Sequence, residues 1–219
     1  MQTVREFGLS EFLFLLASLK WTVALSLIAF AGGIVGGLLI ALARTSEYSL
    51  LRYPAKGFIE VFQGTPLLMQ LFLTYFGLGL FNLALNPWVA VAVAFTLHAS
   101  AFLGEIWRGC IDAVPKGQTE AASALALRYG NRMCHIVLPQ AFRISLPATV
   151  GFLVQLIKGT SLAAIIGFTE LARTGQILSN VTYQPLLVYS VVGALYFAMC
   201  WPLSRCSSYL ERRYRVSDR

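Results

Sequence analysis

The stretch WTVALSLIAFAGGIVGGLLIALA, Trp21 to Ala43, contains no charged side chain and exceeds the roughly 20 residues that an α-helix needs to cross a hydrocarbon core. Gly32, Gly33, Gly36 and Gly37 give it a flat face against which another helix can pack closely. The rest of the chain has the same character. Of its 219 residues 57% are hydrophobic and 12% charged, and the mean hydropathy is +0.68. A soluble surface needs about a quarter of its residues charged. The 17 basic and 10 acidic side chains here cannot clothe one, so the chain reads as an all-α polytopic membrane protein, a single transmembrane domain over residues 1–219.

Working outward, the next uncharged run is Val61 to Gly104, long enough for two crossings, with Gly77, Gly79, Asn82, Asn86 and Pro87 marking a turn between them. A fourth segment, Ile144 to Phe168, is interrupted only by Lys158, and a fifth runs from Pro185 to Ser204. Five transmembrane helices are therefore expected, at about residues 21–43, 60–81, 87–107, 144–168 and 185–204. The positive-inside rule orients them. Arg44, Arg52 and Lys56 follow the first span; Arg108, Lys116, Arg128, Arg132 and Arg143 follow the third; Arg205, Arg212, Arg213, Arg215 and Arg219 fill the tail. These segments face the cytosol, which leaves the N-terminus outside.

The net charge of +7 thus reports topology and not nucleic-acid binding. Cys110, Cys134, Cys200 and Cys206 have neither disulfide-framework nor metal-ligand spacing and read as small apolar fillers, so no metal site is expected. No cleavable signal peptide is expected at the start of the chain. Phe12, Leu15, Leu16 and Leu19 recur there at helical spacing, which fits either an outer interfacial helix or an extension of the first span.

The longest polar stretch, residues 109–143, is too short for a catalytic domain but suits a helical hairpin projecting into the cytosol. Thr119 is placed to cap a helix with Glu120 in its first turn, and Ala121, Ala122, Ala124, Leu125, Ala126 and Leu127 continue it to a stop at Gly130. A second short helix is expected over Asn131 to Leu138, ending before Pro139. Small residues on such a helix permit close approach of another surface, although spacing alone favours an amphipathic helix that lies back on its own spans.

Glu120-Ala121-Ala122, followed at fixed intervals by Ile136, Leu138 and Pro139, resembles the EAA loop of the permeases of ABC importers; only the pattern's Gly is replaced, by Ala126. The resemblance extends further. Glu60-Val61-Phe62-Gln63-Gly64-Thr65-Pro66-Leu67-Leu68-Met69-Gln70 is similar to the EVFRGTPLLVQ segment of the polar amino acid branch, Gly104-Glu105-Ile106-Trp107-Arg108-Gly109 to its AEIFRG, and Lys158-Gly159-Thr160-Ser161-Leu162 to its KDTSL. Val114 to Ala122 and Glu170-Leu171 also follow that branch. Gln63 stands where Arg is common, Phe102 where Tyr is usual, and Gly159 where Asp is usual.

What the resemblance implies is a binding-protein-dependent importer of a polar amino acid or related compound in the bacterial cytoplasmic (inner) membrane. Its partners would be ABC ATPase subunits using ATP and magnesium, a second permease subunit, an extracytoplasmic solute-binding protein and membrane lipid, with no nucleic acid. The chain has no P-loop and is expected to bind no cofactor and catalyse nothing itself. ATPase coupling would fall to Gly117, Gln118, Glu120, Ala121, Ala122 and Ala126, with Gly117 permitting a sharp entry and Ala126 sustaining the helix. Lys158 is an ionisable group inside a span and hence a candidate for the substrate path or gate, together with Thr65, Gln70, Thr160 and Ser161; Gly159 to Ser161 would loosen the helix there. His98 is expected to be a satisfied packing residue and Glu105 with Arg108 a local pair. The rival classes are a self-contained secondary transporter or channel, which would show internal repeats or more spans, and an intramembrane enzyme, which would need a converging nucleophile and base.

Overall fold

Leu9–Thr45 forms one continuous helix of 37 residues, α1, in a computed structural model that describes residues 6–80 and 86–214. Glu11 in its first turn accepts a hydrogen bond from the Gly8 N–H at 3.0 Å, and a carboxylate there suits the positive end of the helix dipole. Phe12 to Leu19 therefore extends the first crossing and does not form a separate interfacial helix. Asn82 of the expected turn, and Arg215, Asp218 and Arg219 of the tail, lie outside the described residues.

The glycine face of α1 packs on α4 (Pro87–Asp112). A Cβ on Gly33 would sit 2.5 Å from the Ala99 Cβ and 3.2 Å from the Ala99 carbonyl carbon. Gly32 meets Thr96, Gly36 meets Ser100 and Gly37 meets Leu103, so the residue numbers rise together and the two helices run parallel. Overpacking a contact against backbone is costly. Gly33→Ala is expected to destabilise the chain by about 1–3 kcal/mol, whereas Gly57→Ala, with nothing within 4 Å, gains up to about 1 kcal/mol of helix propensity. Thermal unfolding in detergent tests this, and equal melting of the two variants would contradict it.

The stretch expected as a second span, residues 60–81, is not one helix. It contains the end of α2 (Ser49–Gly64), a break, and α3 (Leu67–Phe72), which runs on through a π-helical turn at Leu73–Gly77. Pro66 is the cause: a proline disfavours helical backbone in the residue before it, and Thr65 is extended at φ −117°, ψ 142°. The apolar piece Leu67–Gly77 is too short to cross alone. Among the described residues four helices are long and apolar enough to do so: α1, α4, the run Tyr129–Ile166 and α9 (Pro185–Tyr214).

Between α4 and the third of these lies α5 (Lys116–Ala124). The third run itself begins as α6 (Tyr129–Arg132), passes through a π-helical turn at Met133–Val137, continues as α7 (Leu138–Gly159) and tightens into a 3-10 helix at Thr160–Ile166. Pro139 thus does not end a helix. It stands in the first turn of α7, directly after a widened turn in which the Leu138 N–H bonds to the Met133 carbonyl. Gly167 in the left-handed region (φ 86°) then turns the chain towards α8 (Leu171–Thr182).

α7 runs antiparallel to α4: the Trp107 indole N–H donates to Thr149 Oγ1 at 2.9 Å, and Gly159 lies at Phe95. α9 runs antiparallel to α7 in turn, its Ser207 hydroxyl donating to the Pro147 carbonyl at 2.8 Å while Cys200 packs with Val154 and Ile157. These directions bring Arg44, Arg108, Arg132, Arg143, Arg205 and Arg212 to the same end of the bundle. Leu25, Leu71, Phe95, Leu103 and Phe152 fill the core between α1, α3, α4 and α7.

Candidate coupling loop and intramembrane site

At the basic end α5 starts four residues earlier than its sequence suggested, with Pro115 and not Thr119 at the cap. Pro115, extended at φ −54°, ψ 129°, precedes the helix, and Thr119 is interior, its carbonyl accepting from the Ser123 hydroxyl at 2.8 Å. The sharp entry lies at Val114 and Pro115, not at Gly117, which sits in the first helical turn with nothing within 4 Å of a built Cβ. Gly117, Gln118, Glu120, Ala121 and Ala126 are exposed, while Ala122 is 1% exposed. The two alanines of the motif therefore have different surroundings. α5 rests on the π-helical turn, itself bedded on a cluster of Val114, Met133, Val137 and Ala141.

Ala126 does not sustain the helix. α5 ends at Ala124, and Ala126 has φ 56°, the left-handed region in which a Cβ is disfavoured by roughly 1–2 kcal/mol and glycine is not. This accounts for a Gly in the motif at that position, a reason invisible to helix propensity. Gly130 lies within α6 and stops nothing. Tyr129 and Arg132 tie the loop to the end of α1: the Tyr129 hydroxyl donates to the Thr45 carbonyl at 2.9 Å, and Arg132 donates to the Ser123 hydroxyl at 2.9 Å and lies 3.9 Å from Glu47.

The intramembrane candidates fall into two groups. Gln70 is buried, and its amide nitrogen donates to the Phe62 carbonyl (2.7 Å), the Thr65 carbonyl (3.0 Å) and Thr65 Oγ1 (3.0 Å), which holds the break between α2 and α3 together. Only an NH2 can serve two carbonyls, so the other amide atom is oxygen, and His98 Nδ1 at 3.0 Å from it must carry the proton. His98 also packs on Phe102, with ring centroids 4.4 Å apart. Thr65 is exposed at the break.

Lys158 is exposed on the other side, in a cleft of about 390 Å³ with Tyr196, Phe197, Cys200, Trp201 and Ser204. The backbone beside it tightens and does not loosen: the Thr160 and Ser161 hydroxyls donate to the Ile157 and Lys158 carbonyls, each at 2.7 Å. Thr160 is fully buried. At the basic end Arg108 pairs with both Glu105 and Asp112 on α4. Among the described residues no three His, Cys, Asp or Glu side chains gather as a metal site.

A group that the sequence showed only as part of the resemblance, with no role assigned, is Glu170, fully buried at the start of α8. Its carboxylate accepts from the Arg173 N–H (2.9 Å), the Thr22 hydroxyl (3.2 Å) and the Tyr196 hydroxyl (2.8 Å), so α1, α8 and α9 meet on one side chain. Thr22 Oγ1 accepts in turn from the Leu171 N–H at 3.2 Å. Arg173 is not its ion partner; that guanidinium donates to Gln176 at 2.7 Å. The available signal was a lone carboxylate between two apolar segments, followed at once by a helix.

Comparison with known proteins agrees with this architecture. The family of the binding-protein-dependent transport system inner membrane component matches residues 33–216. The probable amino-acid ABC transporter permease protein YckA of Bacillus subtilis is 35% identical over 209 residues, covering 95% of this chain and 92% of its own. The L-cystine transport system permease protein TcyB of the same organism is 36% identical over 194 residues, covering 88% and 83%. A solved structure described as an amino acid ABC transporter with histidines superposes with a TM-score of 0.86 at 35% identity, over 91% of this chain and 94% of that one. The MetNI methionine ABC transporter, at 17% identity and a TM-score of 0.79, shares the fold. With a parallel α1–α4 pair, basic residues gathered at one end and an exposed EAA helix beside them, the chain belongs to the family of inner membrane components of binding-protein-dependent transport systems.

Proposed function

We propose that this chain is the permease subunit of an ATP-driven importer that carries a polar amino acid or a close relative across the bacterial cytoplasmic membrane by alternating access. Five crossings are inferred as follows. Because α1 and α4 run parallel, the chain between them has to return, and α2 with α3 provides that return as two half-helices. The basic end faces the cytosol and the N-terminus lies outside. The observation that carries the coupling role is the exposure of Gly117, Gln118, Glu120 and Ala121 on a helix at that basic end. This surface receives an ATPase subunit that uses ATP and magnesium, and closure of two such subunits moves the spans as rigid bodies. A second permease completes the path about a two-fold axis, and a solute-binding protein delivers substrate outside. Lys158 and Ser161 are the accessible polar groups of the path on the α7 side, whereas Thr160 and Gln70 act by holding backbone in place.

The test uses the chain assembled with its partner subunits in lipid. Receptor-stimulated ATP hydrolysis is expected for the intact complex and its loss for Glu120→Ala. Substrate movement by this chain alone, indifferent to Glu120→Ala, would instead establish a secondary transporter or channel.

A further inference from the structure

The exposed face of α2 is unusual for a helix of a membrane bundle. Arg52, Lys56, Glu60 and Gln63 recur once per turn and all are exposed, while Ala55 and Ile59 are buried on the other side. Lys56 and Glu60 pair at 3.5 Å with more than half of each side chain exposed. The polar stripe leads to the break at Gly64, Thr65 and Pro66, which is exposed too, and a built Cβ on Gly64 meets nothing within 4 Å.

The depth of the break follows from its contacts. α2 begins just beyond the basic end of α1, and at its far end the Phe62 and Thr65 carbonyls bond to Gln70, which bonds to His98 near the middle of α4. Sixteen residues of helix rise about 24 Å, enough to climb from the membrane surface to mid-depth. Hydrocarbon does not tolerate exposed non-helical backbone, which at that depth must be buried in protein or line water. Four polar side chains in register below the break favour water.

We propose that the Arg52, Lys56, Glu60 and Gln63 face of α2, ending at Thr65, lines a water-filled lane through the cytosolic half of the membrane. This deepens the permease reading and rests on it: the lane is the inner part of the path, and its chemistry suits a small zwitterion, with ammonium, carboxylate and amide groups available in turn.

The experiment is thiol accessibility in the assembled transporter in lipid. Cys110, Cys134, Cys200 and Cys206 are changed to Ser, and single cysteines are placed at Glu60, Gln63 and Thr65. Val35→Cys is the control: Val35 is 64% exposed, and its neighbour Gly36 faces Ser100, within one turn of the depth of His98. A membrane-impermeant cationic methanethiosulfonate reacts with the thiolate, and a one-unit rise in thiol pKa in an apolar setting alone lowers the thiolate about tenfold. Modification at Gln63→Cys and Thr65→Cys at least about tenfold faster than at Val35→Cys is expected. Rates no faster than Val35→Cys, in complexes that still hydrolyse ATP, would overturn the lane. Reactivity seen only after the complex is dissociated would also overturn it, in favour of cover by the second permease. Receptor-stimulated ATP hydrolysis of the unsubstituted complex tests the permease reading separately.

Discussion

Glu170→Ala is expected to lower the melting temperature of the purified chain by about 10 °C. The substitution orphans the Arg173 N–H at the start of α8 and deprives the Thr22 and Tyr196 hydroxyls of their acceptor, at a point where Glu170 and Thr22 are fully buried and Tyr196 is half-buried. Each of the three donors left unsatisfied costs about 1–3 kcal/mol, the Arg173 N–H being the one whose loss is also the loss of the helix cap. A total of at least about 3 kcal/mol corresponds to roughly 6–12 °C for a chain of this size. Glu170→Gln keeps one oxygen for the Arg173 N–H and offers an NH2 to hydroxyls that can rotate to accept, so about a third of the loss is expected. Tyr196→Phe removes one donor and leaves the others paired, which costs about 1 kcal/mol. Melting of Glu170→Ala within 2 °C or so of the parent would show that α1, α8 and α9 are held by packing alone.

How far the sequence could be read depends on which force decided each element. Where apolar length decided, as in α1, α4 and α9, the uncharged runs pointed to the right helices. Where a local backbone clash decided, hydropathy was blind: Val61 to Gly77 carries no charge, yet Pro66 splits it through a clash that leaves the average hydropathy unchanged. Pro139 errs in the opposite direction, since a π-helical turn absorbs it and the helix continues. The loop that carries α5 was legible as a motif, but the reason for the glycine of that motif was not, because the φ of 56° at Ala126 belongs to the turn after α5 and not to the helix. Glu170 was hidden for a further reason. Its partners Thr22 and Tyr196 are far from it in sequence, and only the packing of α1 and α9 around α8 brings two unremarkable hydroxyls onto one carboxylate.

Ala121→Leu and Ala122→Leu, neighbouring changes of the same size, are expected to fail in different ways. Ala122 is 1% exposed where α5 faces the π-helical turn, so a leucine there meets the chain's own loop. Overpacking costs about 1–3 kcal/mol, which should loosen the loop and raise the proteolytic sensitivity of residues 116–132 in the isolated chain. Ala121 is exposed, so a leucine there extends from the surface and melting and proteolysis should match the parent. If the outward face of α5 receives the ATPase, the same 1–3 kcal/mol of overpacking appears at that interface instead. At 1.4 kcal/mol per tenfold, ATPase affinity should then fall by about 5- to 140-fold, with receptor-stimulated hydrolysis falling alongside. Capture of the ATPase on the chain in lipid, beside limited proteolysis of the chain alone, separates the two. Equal loss of ATPase binding with an intact loop in both variants would mean that α5 turns on its bed when it docks and that the burial of Ala122 belongs to the free chain only. An Ala121→Leu variant that binds and couples normally would place the ATPase contact elsewhere, and the nearest exposed large apolar side chain, Leu125 at 75% exposure, would be the next to change.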